Sequence, residues 1–341
     1  MESRVAVMEG RGLAVGYRGK QGKVVHRDLN FRLYSGELTC LLGANGAGKS
    51  TLLRTLSALQ PPLGGELELL GRPVGSYSLK ERSRLIGVVL TDKTQTGGLT
   101  VYEMVALGRQ PHTGFFGRLD AHDKDMIGYA LQAAGISHKS DVYVAQLSDG
   151  ERQKAMIARA LVQECPLVLL DEPTAFLDVV SRIEIMALLR RLAVEENKAV
   201  LLSTHDVEQA LVLSDRLWLL AGTCGLECGV TEDLILANRI DSLFKGQQNV
   251  RFDLMHGGFS PTVEGKKRIC LEASDEVLRH WAQNALNRHG YFCLDSEQAA
   301  GLNLPFLDVQ SSRQLLLVVG GAEFVCSSFE NLFEVLAINS D

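Results

Sequence analysis

Long apolar runs are absent from this chain of 341 residues. Its longest uninterrupted apolar segments have the length of a buried β-strand, far short of the roughly 20 residues that cross a bilayer as a helix. Aromatic residues make up only 6% of the chain, while hydrophobic residues reach 46% and charged residues 22%. This composition is that of a globular protein, and it excludes a disordered or fibrous chain.

An excess of basic charge is also missing. The 35 lysine and arginine residues against 41 aspartate and glutamate residues give a formal net charge of −6. Because nucleic-acid binding needs a concentrated basic footprint, we expect no nucleic-acid partner. The N-terminal segment lacks the apolar core of a signal peptide, and the odd number of cysteines, 7, favours reduced thiols. The sequence therefore predicts a cytoplasmic protein without a membrane span of its own.

Apolar strands alternate with helical segments over most of the chain. Leu38–Leu42 is a short apolar run before a glycine loop, and leucines recur at helical spacing after that loop. Residues 168–170 and 199–202 are further short apolar strands, and residues 101–136 are predicted to be helical with a loop at residues 114–117. Such alternation predicts a parallel sheet covered by helices, with ligands bound at the carboxyl ends of the strands.

The periodic pattern loosens around residues 245–258, which predicts a domain boundary there. We expect a first domain of residues 1–248 and a small α+β domain of residues 249–341. Trp281 and Phe306 are expected in the core of the second domain. Its predicted strands are 267–272 and 315–319, and its predicted helices are 274–289 and 327–338.

A glycine loop carries the clearest chemistry of the sequence. Residues 43–50 match G-x-x-x-x-G-K-[ST], the phosphate-binding loop, between a strand and a helix. Backbone N–H groups of such a loop wrap phosphates, and the helix N-terminus adds positive potential. We expect Lys49 to bridge the outer phosphates and Ser50 to ligate Mg²⁺. The candidate nucleotide-binding residues of this loop are Gly43, Asn45, Gly46, Gly48, Lys49, Ser50 and Thr51.

Two carboxylates end a second apolar strand, at residues 168–172. A carboxylate at the end of a strand can hold Mg²⁺, and its neighbour can accept a proton from an attacking water. We assign Asp171 to the metal and Glu172 to the water. Apolar strands often end in a solvated acidic residue, so this assignment depends on the glycine loop being a phosphate site.

A third element, residues 147–153, leads into a helix. Ser148, Asp149 and Gly150 at its start have two explanations. They form an ordinary helix cap, or their backbone N–H groups hold a γ-phosphate. The residues alone leave both open.

With these three motifs, the sequence resembles the ATP-binding subunits of ABC transporters over about residues 5–245. The resemblance implies an α/β fold, a P-loop ABC-type nucleotide-binding domain with a helical subdomain. Residues 43–51 are similar to the family's Walker A motif. Residues 168–172 are similar to its Walker B motif, in which Glu172 would be the catalytic glutamate.

Residues 147–153 resemble the family's signature motif, whose Ser148 and Gly150 would contact ATP held by the opposite subunit. Two residues depart from the usual motif, since Asp149 stands where the family has glycine and Glu151 where it often has glutamine. Carboxylates beside a polyphosphate should weaken its binding. The exception is a carboxylate that points away or bonds to backbone N–H groups.

The resemblance implies roles for further residues. Residues 175–178 are similar to the D-loop, and His205 lies where the family has its switch histidine. Tyr17 lies where the family has an aromatic residue that stacks on adenine, with a core or surface tyrosine as the alternative. Thr91 replaces the glutamine that senses Mg²⁺ and couples to the membrane partner, and we include it among the candidate metal ligands.

A finer resemblance comes from residues 99–112, which carry a V-x-E-x-V-x-x-GR-x-PH pattern. This pattern resembles importers of iron–siderophore complexes, haem and cobalamin, in which the region lines a groove for a helix of the permease. The plainer interpretation is a helix that ends at Gly108 and Pro111 and leaves Arg109 and His112 exposed.

The resemblance thus implies an ATPase that uses ATP and Mg²⁺ and powers import of an iron chelate or cobalamin. It implies a homodimer, peripheral on the cytoplasmic face of a bacterial cell membrane. Its partners would be a polytopic membrane permease and an extracytoplasmic substrate-binding protein. Three alternatives stay open: an ABC exporter ATPase, a soluble ABC-type ATPase not linked to transport, and a nucleotide-binding module without turnover.

Overall fold

The structure is a computed structural model. It describes residues 6–19, 22–90, 98–114, 117–221, 225–244, 250–253, 258–261 and 265–338. The fold separates into two compact units, each with its own buried apolar cluster. The first unit comprises residues 1–246 and 252–258, and the second comprises residues 247–251 and 259–341.

The first unit is built on a six-stranded sheet and a smaller antiparallel sheet. Its strands β1 to β10 are, in chain order, Ala6–Tyr17, Lys23–Tyr34, Leu38–Leu42, Gly64–Leu69, Arg72–Pro73, Ile86–Val89, Leu167–Asp171, Ala199–Thr204, Arg216–Ala221 and Gly225–Val230. Its helices α1 to α8 are Lys49–Leu56, Leu79–Leu85, Val101–Ala106, Ala121–Ala133, Asp149–Leu161, Val179–Glu195, Val207–Leu213 and Thr231–Leu236.

The larger sheet has the strand order β10-β9-β3-β8-β7-β6. All its neighbouring pairs are parallel except β10 with β9, so the predicted parallel sheet is confirmed. Strands β3 and β8 are buried along their whole length. A strand that is covered on both faces gains from apolar side chains on both, which explains why these segments are continuous apolar runs.

The smaller sheet has the order β2-β1-β4-β5 and is antiparallel. Its buried side chains belong to the same apolar cluster as those of the larger sheet, and the ring of Phe31 in β2 packs on Trp218 in β9 with centroids 4.7 Å apart. No pattern in the sequence indicates that a separate sheet forms here.

Within residues 101–136, the first helix ends before the expected loop at residues 114–117 and the second begins after it. The structure divides them into α3, a 3-10 turn at Leu107–Arg109 and α4. The exposed position expected for Arg109 in the plainer interpretation is wrong, because this side chain is only 2% exposed. Its Nε donates to Asp123 Oδ1 at 2.7 Å, and its Nη1 donates to the carbonyl of Val162 at 2.7 Å. Arg109 therefore ties the start of α4 to the end of α5.

The second unit contains a five-stranded mixed sheet in the order β14-β13-β15-β16-β17. Strand β13 is parallel to both of its neighbours, and the remaining pairs are antiparallel. Strands β11 to β17 are Val250–Asp253, Gly258–Pro261, Lys267–Ala273, Tyr291–Leu294, Phe306–Ser311, Gln314–Val319 and Ala322–Cys326, and helices α9 to α11 are Glu276–Arg288, Ser296–Ala299 and Phe329–Ile338. Strands β11 and β12 pair with each other, and the division between the two units runs through them.

The core of the second unit contains Ile269, Leu307 and Leu317 from the sheet with Leu286 and Leu332 from the helices. Trp281 is not part of it. This side chain is 61% exposed on α9, so its expected core position is wrong. Phe306 lies on the sheet and is only partly buried.

No helix among the described residues is both long and apolar enough to cross a bilayer. All the cysteines in the described part of the chain are free thiols. Cys224 lies outside the described residues.

Replacing Arg109 with alanine should destabilise the first unit by about 3–5 kcal/mol, because it leaves the buried Asp123 carboxylate without its cation. Urea unfolding followed by the fluorescence of Trp218, in a Trp281→Phe background, measures this. Arg11→Ala is the control, since Arg11 pairs with Glu9 while more than half exposed, and it should change stability by less than about 1 kcal/mol. Equal effects of the two substitutions would contradict the assignment of Arg109 as a structural anchor.

Candidate active site

Three neighbouring parallel strands, β3, β8 and β7, end at the same edge of the larger sheet. In their register Leu42 lies beside Thr204, and Asp171 lies beside Ser203. The glycine loop follows β3, the two carboxylates end β7, and His205 follows β8. Their sequence separation is large, but the strand order brings all three segments together.

The glycine loop wraps around the side chain of its own lysine. Lys49 is only 6% exposed, and its Nζ donates to the carbonyl of Gly43 at 2.8 Å. Gly46 and Gly48 have φ angles of 79° and 99°, a left-handed backbone that residues with a Cβ rarely adopt. A Cβ at Gly43 would lie 2.7 Å from the carbonyl of Leu220, so this position also requires glycine.

Helix α1 begins directly after this loop. Ser50, at its start, and Asn45, in the loop, are exposed, while Thr51 is buried. The hydroxyl of Tyr17 lies 3.1 Å from Thr51 Oγ1. Tyr17, which is 51% exposed, therefore lies beside the first turn of α1. An exposed tyrosine ring next to the glycine loop has room to stack on an adenine base.

Glu172 lies between two of the predicted site residues. Its Oε1 is 3.8 Å from Lys49 Nζ, and its Oε2 is 3.8 Å from His205 Nδ1. The histidine is more exposed than the carboxylate. The structure thus brings Lys49, Glu172 and His205 into one cluster at the edge of the sheet.

Ser203 fixes both carboxylate residues, and the sequence analysis missed it. Its hydroxyl donates to Asp171 Oδ1 at 2.6 Å and accepts the N–H of Glu172 at 2.9 Å. Glu172 has a φ of 47°, which is strained for a residue with a side chain. The hydrogen bond from its N–H to Ser203 helps to hold this turn. The only signal in the sequence is a serine at the end of an otherwise apolar strand.

Ser148 caps α5 in the arrangement that the cap explanation predicts. Its hydroxyl accepts the N–H of Glu151 at 3.2 Å, and Glu151 Oε2 accepts the N–H of Ser148 at 2.9 Å. That backbone hydrogen bond, with help from Lys139, whose Nζ lies 3.2 Å from Glu151 Oε1, lowers the pKa of Glu151. A carboxylate at this position is therefore bonded to an N–H group and neutralised by a lysine.

Two other residues of the signature segment have partners of their own. Asp149 Oδ1 lies 3.3 Å from Arg152 Nη1 on the same helix. A Cβ at Gly150 would lie 2.9 Å from Ser181 Oγ of α6, so close packing of α5 on α6 also explains this glycine. The described contacts of Ser148 stay within α5 and do not join it to the Lys49–Glu172–His205 cluster. Thr91 lies outside the described residues.

Comparison with known proteins identifies the family. Residues 26–175 match the family model of the ABC transporter. Ferric enterobactin transport ATP-binding protein FepC of Escherichia coli is 38% identical over 72% of this chain and 89% of its own length. The chain belongs to the ATP-binding proteins of ABC transporters. It is an ABC ATPase.

A second relative extends the similarity beyond the first unit. The uncharacterised ABC transporter ATP-binding protein MJ0873 of Methanocaldococcus jannaschii is 37% identical over 82% of this chain and 97% of its own length. The match spans 284 residues, which is more than the first unit contains, so it includes part of the second unit. This relative therefore shares at least part of the second unit's sequence.

A solved structure of a similar protein supports the assignment of ATP hydrolysis. An ATP-binding cassette solved as a dimer, in a post-hydrolysis state with ADP and Pi, is 26% identical to this chain. It aligns with a TM-score of 0.58 over 66% of this chain and 98% of its own. The fold and the ATPase classification therefore agree.

Ser203→Ala should lower the ATPase rate of the chain at least about tenfold, because loss of the hydroxyl lets Asp171 and the Glu172 turn move from their positions. Steady-state hydrolysis of ATP measures this. Ser214→Ala is the matched control, since Ser214 is also buried and donates to a backbone carbonyl, that of Ala210. A normal rate in Ser203→Ala, or an equal loss in the control, would contradict the assignment.

Proposed function

We propose that this chain hydrolyses ATP to power import of an iron chelate or cobalamin through a membrane permease, on the cytoplasmic face of the membrane. The observation that carries the ATPase part is the position of the Glu172 carboxylate. It lies 3.8 Å from Nζ of Lys49 in the glycine loop and 3.8 Å from His205 Nδ1. The import part is supported by the similarity to the ferric enterobactin protein and by the pattern at residues 99–112.

ATP would bind with its phosphates in the glycine loop. The backbone N–H groups of Gly46 and Gly48 and the ammonium group of Lys49 supply positive potential there. In the structure Lys49 Nζ is bonded to the carbonyl of Gly43 and lies near Glu172. When ATP binds, phosphate oxygens would replace the Gly43 carbonyl and the Glu172 carboxylate as the partners of the Lys49 ammonium group. The adenine would stack on Tyr17.

Hydroxyl and carboxylate oxygens are ligands that Mg²⁺ prefers, so Ser50 and Asp171 fit this ion by their donor chemistry. They would hold it, with Asp171 oriented through its hydrogen bond from Ser203. When bound, Mg²⁺ neutralises negative charge on the phosphates. Thr91 would join these residues if its hydroxyl replaces the family's glutamine.

Glu172 would act as the general base. Its carboxylate would accept the proton of the attacking water while that water approaches the γ-phosphate in line. His205 would contact the γ-phosphate and hold it in position, and its place beside Glu172 supports this role. The strained backbone at Glu172, supported by Ser203, keeps the carboxylate at the edge of the sheet.

A second copy of the chain would complete each site. Ser148 and Gly150 would cover the γ-phosphate held by the opposite subunit, which gives a homodimer with twofold symmetry. The dimer found for a solved relative supports this arrangement. ATP would favour the closed dimer because it contacts both subunits there, and hydrolysis would remove those contacts.

Glu172→Gln should lower steady ATPase turnover at least about 100-fold, because it removes the general base but keeps the size of the side chain. The same variant should form a stable dimer with ATP and Mg²⁺, measured by light scattering after gel filtration. Glu195→Gln, at an exposed position on α6, is the control and should retain turnover. Normal turnover in Glu172→Gln would remove Glu172 as the base.

Uptake by intact cells tests the import part of the proposal. Cells that produce only the Glu172→Gln chain should lose ATP-driven uptake of labelled ferric chelates or of cobalamin, whereas cells with Glu195→Gln should keep it. Unchanged uptake of all these compounds in the Glu172→Gln cells would contradict import. Accumulation of another compound inside those cells would instead favour an exporter.

A further inference from the structure

His26 lies in strand β2, directly beneath the glycine loop. Its side chain is 6% exposed, and its Nε2 lies 2.6 Å from the carbonyl oxygen of Ala47. A carbonyl oxygen can only accept a hydrogen bond, so the imidazole donates through its Nε2–H. The proposed function gives this buried histidine no role.

This hydrogen bond fixes the direction of a backbone N–H in the loop. The described chain has no cis peptide bond, and in a planar trans peptide the C=O and the following N–H point in opposite directions. The carbonyl of Ala47 points at His26 in β2. The N–H of Gly48, which belongs to the same peptide, therefore points away from β2.

The neighbouring contacts keep this peptide close to β2. A Cβ at Gly48 would lie 2.6 Å from Val25 Cγ1 and 3.1 Å from His26 Nε2. Within the loop, the N–H of Ala47 donates to the carbonyl of Ala44 at 3.0 Å. The histidine therefore supports, from outside the loop, the peptide that joins Ala47 to Gly48, the N-cap residue of α1.

We propose that His26 is a positioning residue for ATP. By holding the carbonyl of Ala47, it presents the N–H of Gly48 to a phosphate oxygen. This inference rests on the proposed role of the glycine loop as the ATP site. His26 does not contact the nucleotide, so it affects how tightly ATP binds and has little effect on the rate once ATP is bound.

The test compares two substitutions of different chemistry. His26→Leu keeps an apolar side chain but removes the donor, and it should raise the KM for ATP about tenfold with kcat within about twofold, since the loss of one buried hydrogen bond is of this order. His26→Gln keeps a donor, because the amide nitrogen of glutamine lies as many bonds from Cβ as the Nε2 of histidine does. It should restore the KM to within about threefold of the wild-type value.

A purely structural role for His26 predicts the opposite order. A buried side chain that only packs is replaced better by leucine than by glutamine, which brings an extra polar group into the interior. A normal KM in His26→Leu, or equal KM values in the two variants, would therefore overturn the inference. If His26→Leu does not fold, His26→Asn replaces it, because its amide is one bond shorter and should give the raised KM.

His289→Leu is the matched control. The Nδ1 of His289 lies 3.0 Å from the carbonyl of Ala285 in the second unit. This substitution removes the same chemical group and should leave the KM for ATP unchanged. All measurements use the full chain with ATP and Mg²⁺, and ATP binding to the wild type is measured directly by calorimetry.

The binding measurement separates two kinds of failure. If the wild-type chain does not bind ATP, the proposed function and this inference are both overturned. The same holds if the Lys49→Ala variant binds ATP as tightly as the wild type. ATP binding that depends on Lys49 but not on the residue at position 26 would overturn this inference alone.

Discussion

The candidate active site depends on the parallel pairing of β3, β8 and β7. Because these strands are neighbours and run in the same direction, the segments after them meet at one edge of the sheet. A slip of one residue in the pairing of β8 with β7 would move Asp171 away from Ser203 and reverse the faces of the side chains. Strands β3 and β8 are buried along their whole length, so the segments that form the site extend directly from the apolar core.

Backbone groups in this site are oriented by side chains from neighbouring strands. Ser203 bonds to both Asp171 and the N–H of Glu172, which stabilises a left-handed residue at the end of β7. His26 bonds to the glycine loop after β3 in a similar way. In both cases a buried polar side chain would lose its partner if the loop moved, and an unpaired buried polar group is costly. These hydrogen bonds therefore orient the two segments in which we propose that the phosphates and the water bind.

Much of the fold could be predicted from local sequence patterns. The glycine loop, the apolar strands and the carboxylates at the end of β7 each have their own signal. Ser203 has only the weak signal of a serine at the end of an apolar strand, and His26 has none. Their roles depend on contacts with residues that lie 32 and 21 positions away in the chain. The burial of Arg109 was missed for the same reason, since Asp123 and Val162 come from other parts of the chain. Trp281 shows the reverse error, because hydrophobic size alone does not place a side chain in a core.

The proposed function requires this ATPase to work with a membrane permease. Affinity purification of the tagged chain from detergent-solubilised native membranes, with mass spectrometry of the bound proteins, is the experiment that decides this. We expect recovery of a polytopic permease, together with an extracytoplasmic chelate-binding protein. Recovery of only soluble or nucleic-acid-associated partners would contradict it, and the ATPase would then have to act outside transport.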